Sequence, residues 1–357
     1  MEIKKIINVK IFLTKLFHSE HWPTYLFYIP LIPYFLYKAI LAKSLTFFLI
    51  VNPAIKYSGM GSESKFKTLK LLPEQYIPKS ILITPKTDFN SVLISLNNSK
   101  IEFPLIAKPD VGFRGILVQK INTISDLKNY LKNNDIAIIL QEYVSFQNEC
   151  GLFYHKIPGK NKGKITSVTL KKFVTVIGNG MDDLETLILK DKRAFLYHTL
   201  FKKIHLKNYN TIPKKNEIVK LTVIGNHSKG TQFINGNHLI DQQLEAFLDK
   251  ITANLPDFNY GRFDIKYKTF NKLKNAEDFK ILELNGIIAE PTHIYDTEKS
   301  NYFASLKTIL NHWSIANKIA RYNHSVFKKT YPSLLPFLKD MLLLKKYSFN
   351  LKKKTSK

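Results

Sequence analysis

The chain has one cysteine, Cys150, in 357 residues. That excludes a disulfide framework and any zinc site built on several thiolates, and it suits a reducing cytosol. A lone cysteine is ordinarily a small buried apolar residue. Arginine is nearly as scarce: Arg114, Arg193, Arg262 and Arg321 are the only four among 54 basic residues. Readers of base edges favour arginine's bidentate fork. A net charge of +26 carried almost wholly by lysine therefore indicates general attraction to anions, and no specific nucleic-acid partner is expected. Residues 1–21 mix apolar side chains with Lys4, Lys5, Lys10 and Lys15 as an amphipathic helix would, and they lack the small-residue cleavage pattern of a signal peptide. A clean apolar run of about 20 residues is also missing. Residues 22–51 come closest, but Pro23, Pro30 and Pro33 break helix, and Lys38 and Lys43 interrupt the run. A buried or interfacial segment is expected there in place of a membrane span.

What is present is a chain 45% hydrophobic and 13% aromatic, enough for one large core or two to three small ones. Strand-like and helix-like stretches alternate, which argues α+β or α/β. Ser62 or Ser64 caps a helix over Lys65–Leu72, and a second helix covers Ser91–Asn97. Phe103–Lys108, Ile116–Ile121, Ala137–Tyr143, Glu149–Lys156, Ile165–Val176 and Val219–Ile224 read as strands. Helices are expected from Ser125 to about Lys132, over Leu184–Lys190 and Leu244–Leu255, and from Tyr295 to about Arg321. No internal repeat is visible. Lys339–Lys357 holds seven lysines against Asp340 among apolar residues, a basic amphipathic tail suited to an anionic membrane surface.

Two features carry chemistry. The loop Asp110 to Gly115, DVGFRG, lies between two strands. Gly112 and Gly115 would let its backbone approach phosphates, although a simple hairpin turn fits the same residues. Further on, the runs Arg262–Tyr267 and Lys280–Leu284 flank a polar turn. Side chains alternate faces along a strand, so Arg262 and Asp264 share a face, as do Glu283 and Asn285. Paired as a hairpin, they would set two carboxylates and an amide oxygen beside a guanidinium. Hard cations take oxygen ligands, so that group suits Mg²⁺ (or Mn²⁺) with nucleotide phosphates; an ordinary solvated hairpin face has the same spacing.

Taken in order, SKFKTLKLLPEQYIPKSILI, FPLIAKPDVGFRGILVQKI, LQEYVSFQNECGLFY, VIGNGMDDLETLI, GNHSKGTQF, YGRFDIKY and ILELNG resemble the ATP-grasp superfamily. The likeness is to its carboxylate–amine ligase branch, which includes D-alanine–D-alanine ligase, and it covers about Lys65 to Leu310. It implies an α+β ATP-grasp fold, two α/β lobes with ATP between them, and a cytoplasmic enzyme that activates a small carboxylate as an acylphosphate for attack by an amine. It divides the chain into an apolar N-terminal segment (1–64), an N-terminal lobe (65–140), a C-terminal lobe (141–322) and the tail (323–357). It gives Lys65 and Lys108 to the ATP phosphates, Gly112, Arg114 and Gly115 to the loop above them, and Gln141, Glu142 and Val144 to adenine. Glu149 matches the ribose-binding acid and Lys172 a further phosphate lysine. Asp264, Glu283 and Asn285 match the metal ligands, and Arg262, with Lys108, the groups that act on the transferring phosphate. Beyond Asn285 this chain departs from the family pattern, which makes Glu290, Thr292 and His293, with His227 and Lys229, candidate substrate contacts. A phosphotransferase of the same fold, or a basic membrane- or polyanion-binding protein that keeps a nucleotide fold, are the alternatives. A stable phosphorylated product would mark the first, and salt-dependent binding indifferent to ATP the second.

Overall fold

The computed structural model describes residues 2–113, 115–255 and 257–355, with side chains from Val9 to Lys354. The helices and strands run in the order α1 (Glu2–Phe17), α2 (Tyr25–Tyr28), α3 (Ile32–Ala42), α4 (Lys65–Leu69), β1 (Ser80–Ile83), α5 (Phe89–Asn98), β2 (Leu105–Pro109), β3 (Gln119–Ile121), α6 (Ile124–Asn133) and β4 (Ile138–Glu142). They continue with β5 (Asn148–His155), β6 (Lys164–Lys172), β7 (Thr175–Ile177), α7 (Leu184–Lys190), α8 (His198–Ile204), β8 (Ile218–Lys220), β9 (Gln232–Asn235), α9 (Gln242–Thr252), β10 (Tyr260–Tyr267), α10 (Phe270–Lys274), β11 (Phe279–Asn285), α11 (Tyr302–Ser325) and α12 (Leu334–Thr355).

Two antiparallel sheets dominate. The first has the order β1-β4-β2-β3 and the second β11-β10-β5-β6-β9, with β7 and β8 a separate pair. Each main sheet covers its own core: Leu105, Ile121, Leu127 and Leu140 in the first lobe, Leu152, Phe263, Ile265 and Ile281 in the second. The first sheet closes at Glu142, slightly past the division expected at 140/141.

Local chemistry sets the element ends. Ser64 caps α4 by accepting from Lys67 N, and the helix stops at Leu69, short of the expected Leu72. A capping box of Thr123 and Asp126 starts α6. The expected strand at Ile116–Ile121 shrinks to β3, because the chain still turns at Leu117, where φ is +57°. Ile165–Val176 divides into β6 and β7, and the polar turn inside the hairpin forms α10, capped by Thr269.

The N-terminal segment forms no separate unit. It lies along α11 and the start of β10, sharing a core of Ala39, Phe47, Ile50 and Val51 with Tyr260, Ala316 and Ile319. Asn52 is the pin. Fully buried, it donates to Tyr260 O (2.7 Å) and Ser58 O (3.2 Å) and accepts from the backbone N–H groups of Asn259 and Tyr260 (both 2.9 Å). Asn52→Ala would leave these backbone groups buried and unpaired. A loss of about 3 kcal/mol is expected, since each orphaned group costs about 1–3. Chemical denaturation measures it.

Candidate functional site

The two strands pair as a hairpin: Arg262 lies opposite Asn285 and Asp264 opposite Glu283, with a bulge after Asp264. On the other side, Asp264 pairs with Gly151 and Lys266 with Glu149 of β5, and Glu149 pairs with Lys171 of β6. One sheet face therefore gathers Arg262, Asp264, Glu283, Asn285, Glu149 and Lys171. This face forms one wall of a cavity of about 860 Å³, and the first sheet contributes Lys108, Gln141 and Glu142 to it.

Ion pairs organise the wall. Lys171 Nζ lies 2.6 Å from Glu149 Oε1 and 3.1 Å from Asp264 Oδ1, all three side chains 8% exposed or less. Arg262 reaches Asp264 Oδ2 at 3.1 Å and donates to Glu290 O at 3.1 Å. Burial works against the Asp264 charge, but Arg262 and Lys171 outweigh it and hold the carboxyl far below the usual range. The same two acids keep Lys171 above its ordinary value despite burial. Asn285 Nδ2 donates to Asp264 Oδ2 at 3.0 Å, and Lys65 pairs with Glu283. Two carboxylates and an amide oxygen on adjoining strands fit a hard divalent cation, and the anionic state of Asp264 suits it.

Lys108 spans the two sheets, donating to Gln141 Oε1 at 3.0 Å and Leu282 O at 3.3 Å. Burial, and then Lys65 nearby, push its amine down to about 7. A triphosphate favours the charged amine, so binding at pH 8 would draw in about one proton. Nucleotide affinity should then fall by up to about tenfold per pH unit above 7. Calorimetry in buffers of different ionisation enthalpy measures the uptake, and Lys108→Met should abolish it.

Backbone geometry supports this wall. Gly59 (φ +83°) and Gly286 pack so closely that a Cβ on Gly286 would sit 2.1 Å from Ser58 O. Ile287 N and Ile288 N donate to Ser58 O and Gly59 O, tying the loop after Asn285 to the segment before Lys65. Gly225, which opens GNHSKGTQF, lies against Glu149, where a Cβ would fall 2.3 Å from Oε1.

Gly112 and Gly115 line the cavity, as do Val144 and Glu142; Arg114 lies outside the described residues. Lys266 Nζ donates to Val144 O at 3.1 Å. Lys172 is corrected: it is exposed, one position out of phase with the buried face, and Lys171 takes the place beside Glu149. Two proposed substrate contacts are also corrected. His293 is buried at 2.7 Å from Ser167 Oγ and does not line the cavity. Lys229 rests near Gly115, also off the cavity wall. Glu290, Thr292 and His227 do line it.

The sequence reading missed the contribution of the N-terminal segment, whose Glu20, Trp22, Thr24 and Tyr28 also line the cavity. Glu20 accepts from Arg193, and His227 Nε2 lies 2.8 Å from it. Those two neighbours hold the Glu20 carboxyl down at about 2 against its burial. Scarce arginine was a usable signal for Arg193. Nothing in the spacing links Glu20 to His227, 207 residues apart.

Two antiparallel sheets thus face one another across a cavity lined by lysines, acids and an asparagine. Residues 62–157 match the RimK-like ATP-grasp domain. A stretch of 93 residues, 25% of this chain, is 36% identical to the coenzyme gamma-F420-2:alpha-L-glutamate ligase of Methanococcus maripaludis and spans 31% of that protein, about a third of the relative's length. Among solved structures, the chain is similar to the D-alanine–D-alanine ligase of Bacillus anthracis (14% identity, TM-score 0.39, covering 74% of this chain and 71% of that one). It is also similar to the bifunctional glutathione synthetase of Pasteurella multocida (16% identity, TM-score 0.36, 69% and 35%).

Proposed function

We propose that the protein is an ATP- and Mg²⁺-dependent carboxylate–amine ligase that releases ADP. The observation that carries the reading is the convergence of Lys65, Lys108, Arg262, Asp264, Glu283 and Asn285 on one cavity between the lobes. Lys65, Lys108 and the loop holding Gly112 and Gly115 would bind the phosphates. Gln141, Glu142 and the Val144 backbone would meet adenine, and Glu149 the ribose. Asp264, Glu283 and Asn285 would hold the cation, which when bound neutralises phosphate charge.

In the reaction, a substrate carboxylate oxygen attacks the γ-phosphorus and the bond to the β-phosphate oxygen breaks, giving acylphosphate and ADP. The amine, having lost one proton, attacks the acyl carbon. The C–N bond forms, the C–O bond to phosphate breaks, and a second proton leaves. Phosphoryl transfer needs positioning and charge neutralisation more than covalent help, which is the task of Arg262 and the two lysines. Enclosure between the lobes would protect the acylphosphate from water. Carboxylate-dependent ADP release, with a hydroxamate formed in hydroxylamine, tests this; a stable phosphorylated product would favour a phosphotransferase.

The protein is further proposed to work in the cytoplasm against the inner face of a membrane. Phe12, Leu16 and Phe17 of α1 and Leu335, Leu342, Leu343 and Phe349 of α12 are exposed among lysines. Such helices lie on anionic lipid surfaces. Co-sedimentation with anionic vesicles is expected for the full chain and should weaken without Lys339–Lys357; full recovery in the supernatant would contradict it.

A further inference from the structure

Beyond Arg262 the cavity changes character. Its wall there is aromatic: Trp22, Tyr28, Phe35, Phe47 and Phe48 from the N-terminal segment and Trp313 from α11. Tyr28 and Trp313 stack at 6.0 Å, and Phe35 meets Trp313 edge-on at 5.8 Å. Glu20, Thr24 and His227 also line the cavity, but the carboxylate bonded to this aromatic wall through Tyr28 is that of Glu290. Glu290 accepts from Tyr28 OH at 2.6 Å and Tyr295 OH at 2.8 Å, while its backbone oxygen accepts from Arg262. Tyr28 thus belongs to both regions, its ring to the aromatic wall and its hydroxyl to the carboxylate.

A small polar acceptor would leave this aromatic wall to water, whereas an alkyl chain would cover it. The carboxylate at the mouth selects the sign of the head group. An ammonium would pair with Glu290, while a second carboxylate would meet its charge. The outer side of the same segment is apolar too: Tyr25, Ile29, Ile32, Leu36 and Ile40 are exposed, Ile40 at 74%. Tyr25–Ala42 is by length and composition apolar enough to cross a membrane, yet only 22% of it is buried. One short stretch therefore offers apolar surface to the cavity on one side and to the surroundings on the other, as suits a ligand that itself partitions into lipid.

We infer that the amine substrate is amphiphilic, an ammonium head at Glu290 with a long apolar chain in the chamber walled by Tyr28, Phe35 and Trp313. This rests on the ligase reading for the role of the amine, but not for its binding. The test is calorimetric binding of straight-chain alkylamines, butyl to decyl and below their micellar concentrations, to the full chain saturated with a non-hydrolysable ATP analogue. Affinity should rise about fourfold per methylene, the equivalent of ~0.8 kcal/mol per buried CH₂. Trp313→Gln should flatten that slope with butylamine binding unchanged, and Glu290→Gln should weaken every amine while keeping the slope. Thermal melts confirm folding of both variants. A flat series, or equal or tighter binding of the matching alkanoates, overturns the inference. Because no turnover is needed, chain-dependent binding without ADP release would sink the ligase reading alone. ADP release with a flat series would sink the amphiphile alone.

Discussion

Arg262→Met should lower the rate of carboxylate-dependent ADP formation by about 10²–10³-fold while changing the dissociation constant for ATP much less. The guanidinium lies where Asp264 and the Glu290 backbone hold it, on the wall that would face the transferring phosphate. Prepositioned charge of this kind acts on the transition state more than on the ground state, and removing one donor typically costs that much. Asp264 would still be paired with Lys171, so the fold should survive. Steady-state kinetics beside equilibrium nucleotide binding separates the two quantities. Equal losses in both would reduce Arg262 to a ground-state binding residue.

The second large effect is on stability. Lys171→Met would leave Glu149 and Asp264 buried with one cation fewer between them. Breaking a buried ion pair by removing one partner costs about 3–5 kcal/mol. Lys172→Met, on the exposed face of the same strand, should be nearly neutral, within about 0.5 kcal/mol. Denaturant titration of the two neighbours gives the contrast directly. The acid limb adds a signature. Asp264 has a depressed native pKa, so its stabilisation is present above the ordinary aspartate range and is lost as pH falls through the native value. Without Lys171 the native pKa rises toward the ordinary one, so that loss should be smaller and end at higher pH.

The hairpin was legible because strand alternation alone puts Arg262 with Asp264 and Glu283 with Asn285, and the register follows once the two strands pair. The glycine loop was legible as glycines between strands. The lysine on β6 was not, because two lysines stand together at Lys171 and Lys172 and a one-residue phase decides which faces inward. The shortening of β3 follows from a left-handed residue, Leu117, whose side chain gives no warning of it. The aromatic chamber was hidden for a different reason. Trp22 through Phe48 read as a generic apolar segment broken by prolines, and only tertiary packing on α11 turns part of it into cavity wall. Contacts such as Tyr28 with Glu290, 262 residues apart, leave no local pattern.

The ligase reading requires that a substrate carboxylate be activated by the γ-phosphoryl group of ATP within this cavity. Turnover of a carboxylate labelled with heavy oxygen, followed by phosphorus NMR, tests it most directly. The expected products are ADP and inorganic phosphate carrying one labelled oxygen from the substrate, with Arg262→Met forming neither at an appreciable rate. Formation of AMP and pyrophosphate, or of unlabelled phosphate alone, would contradict it.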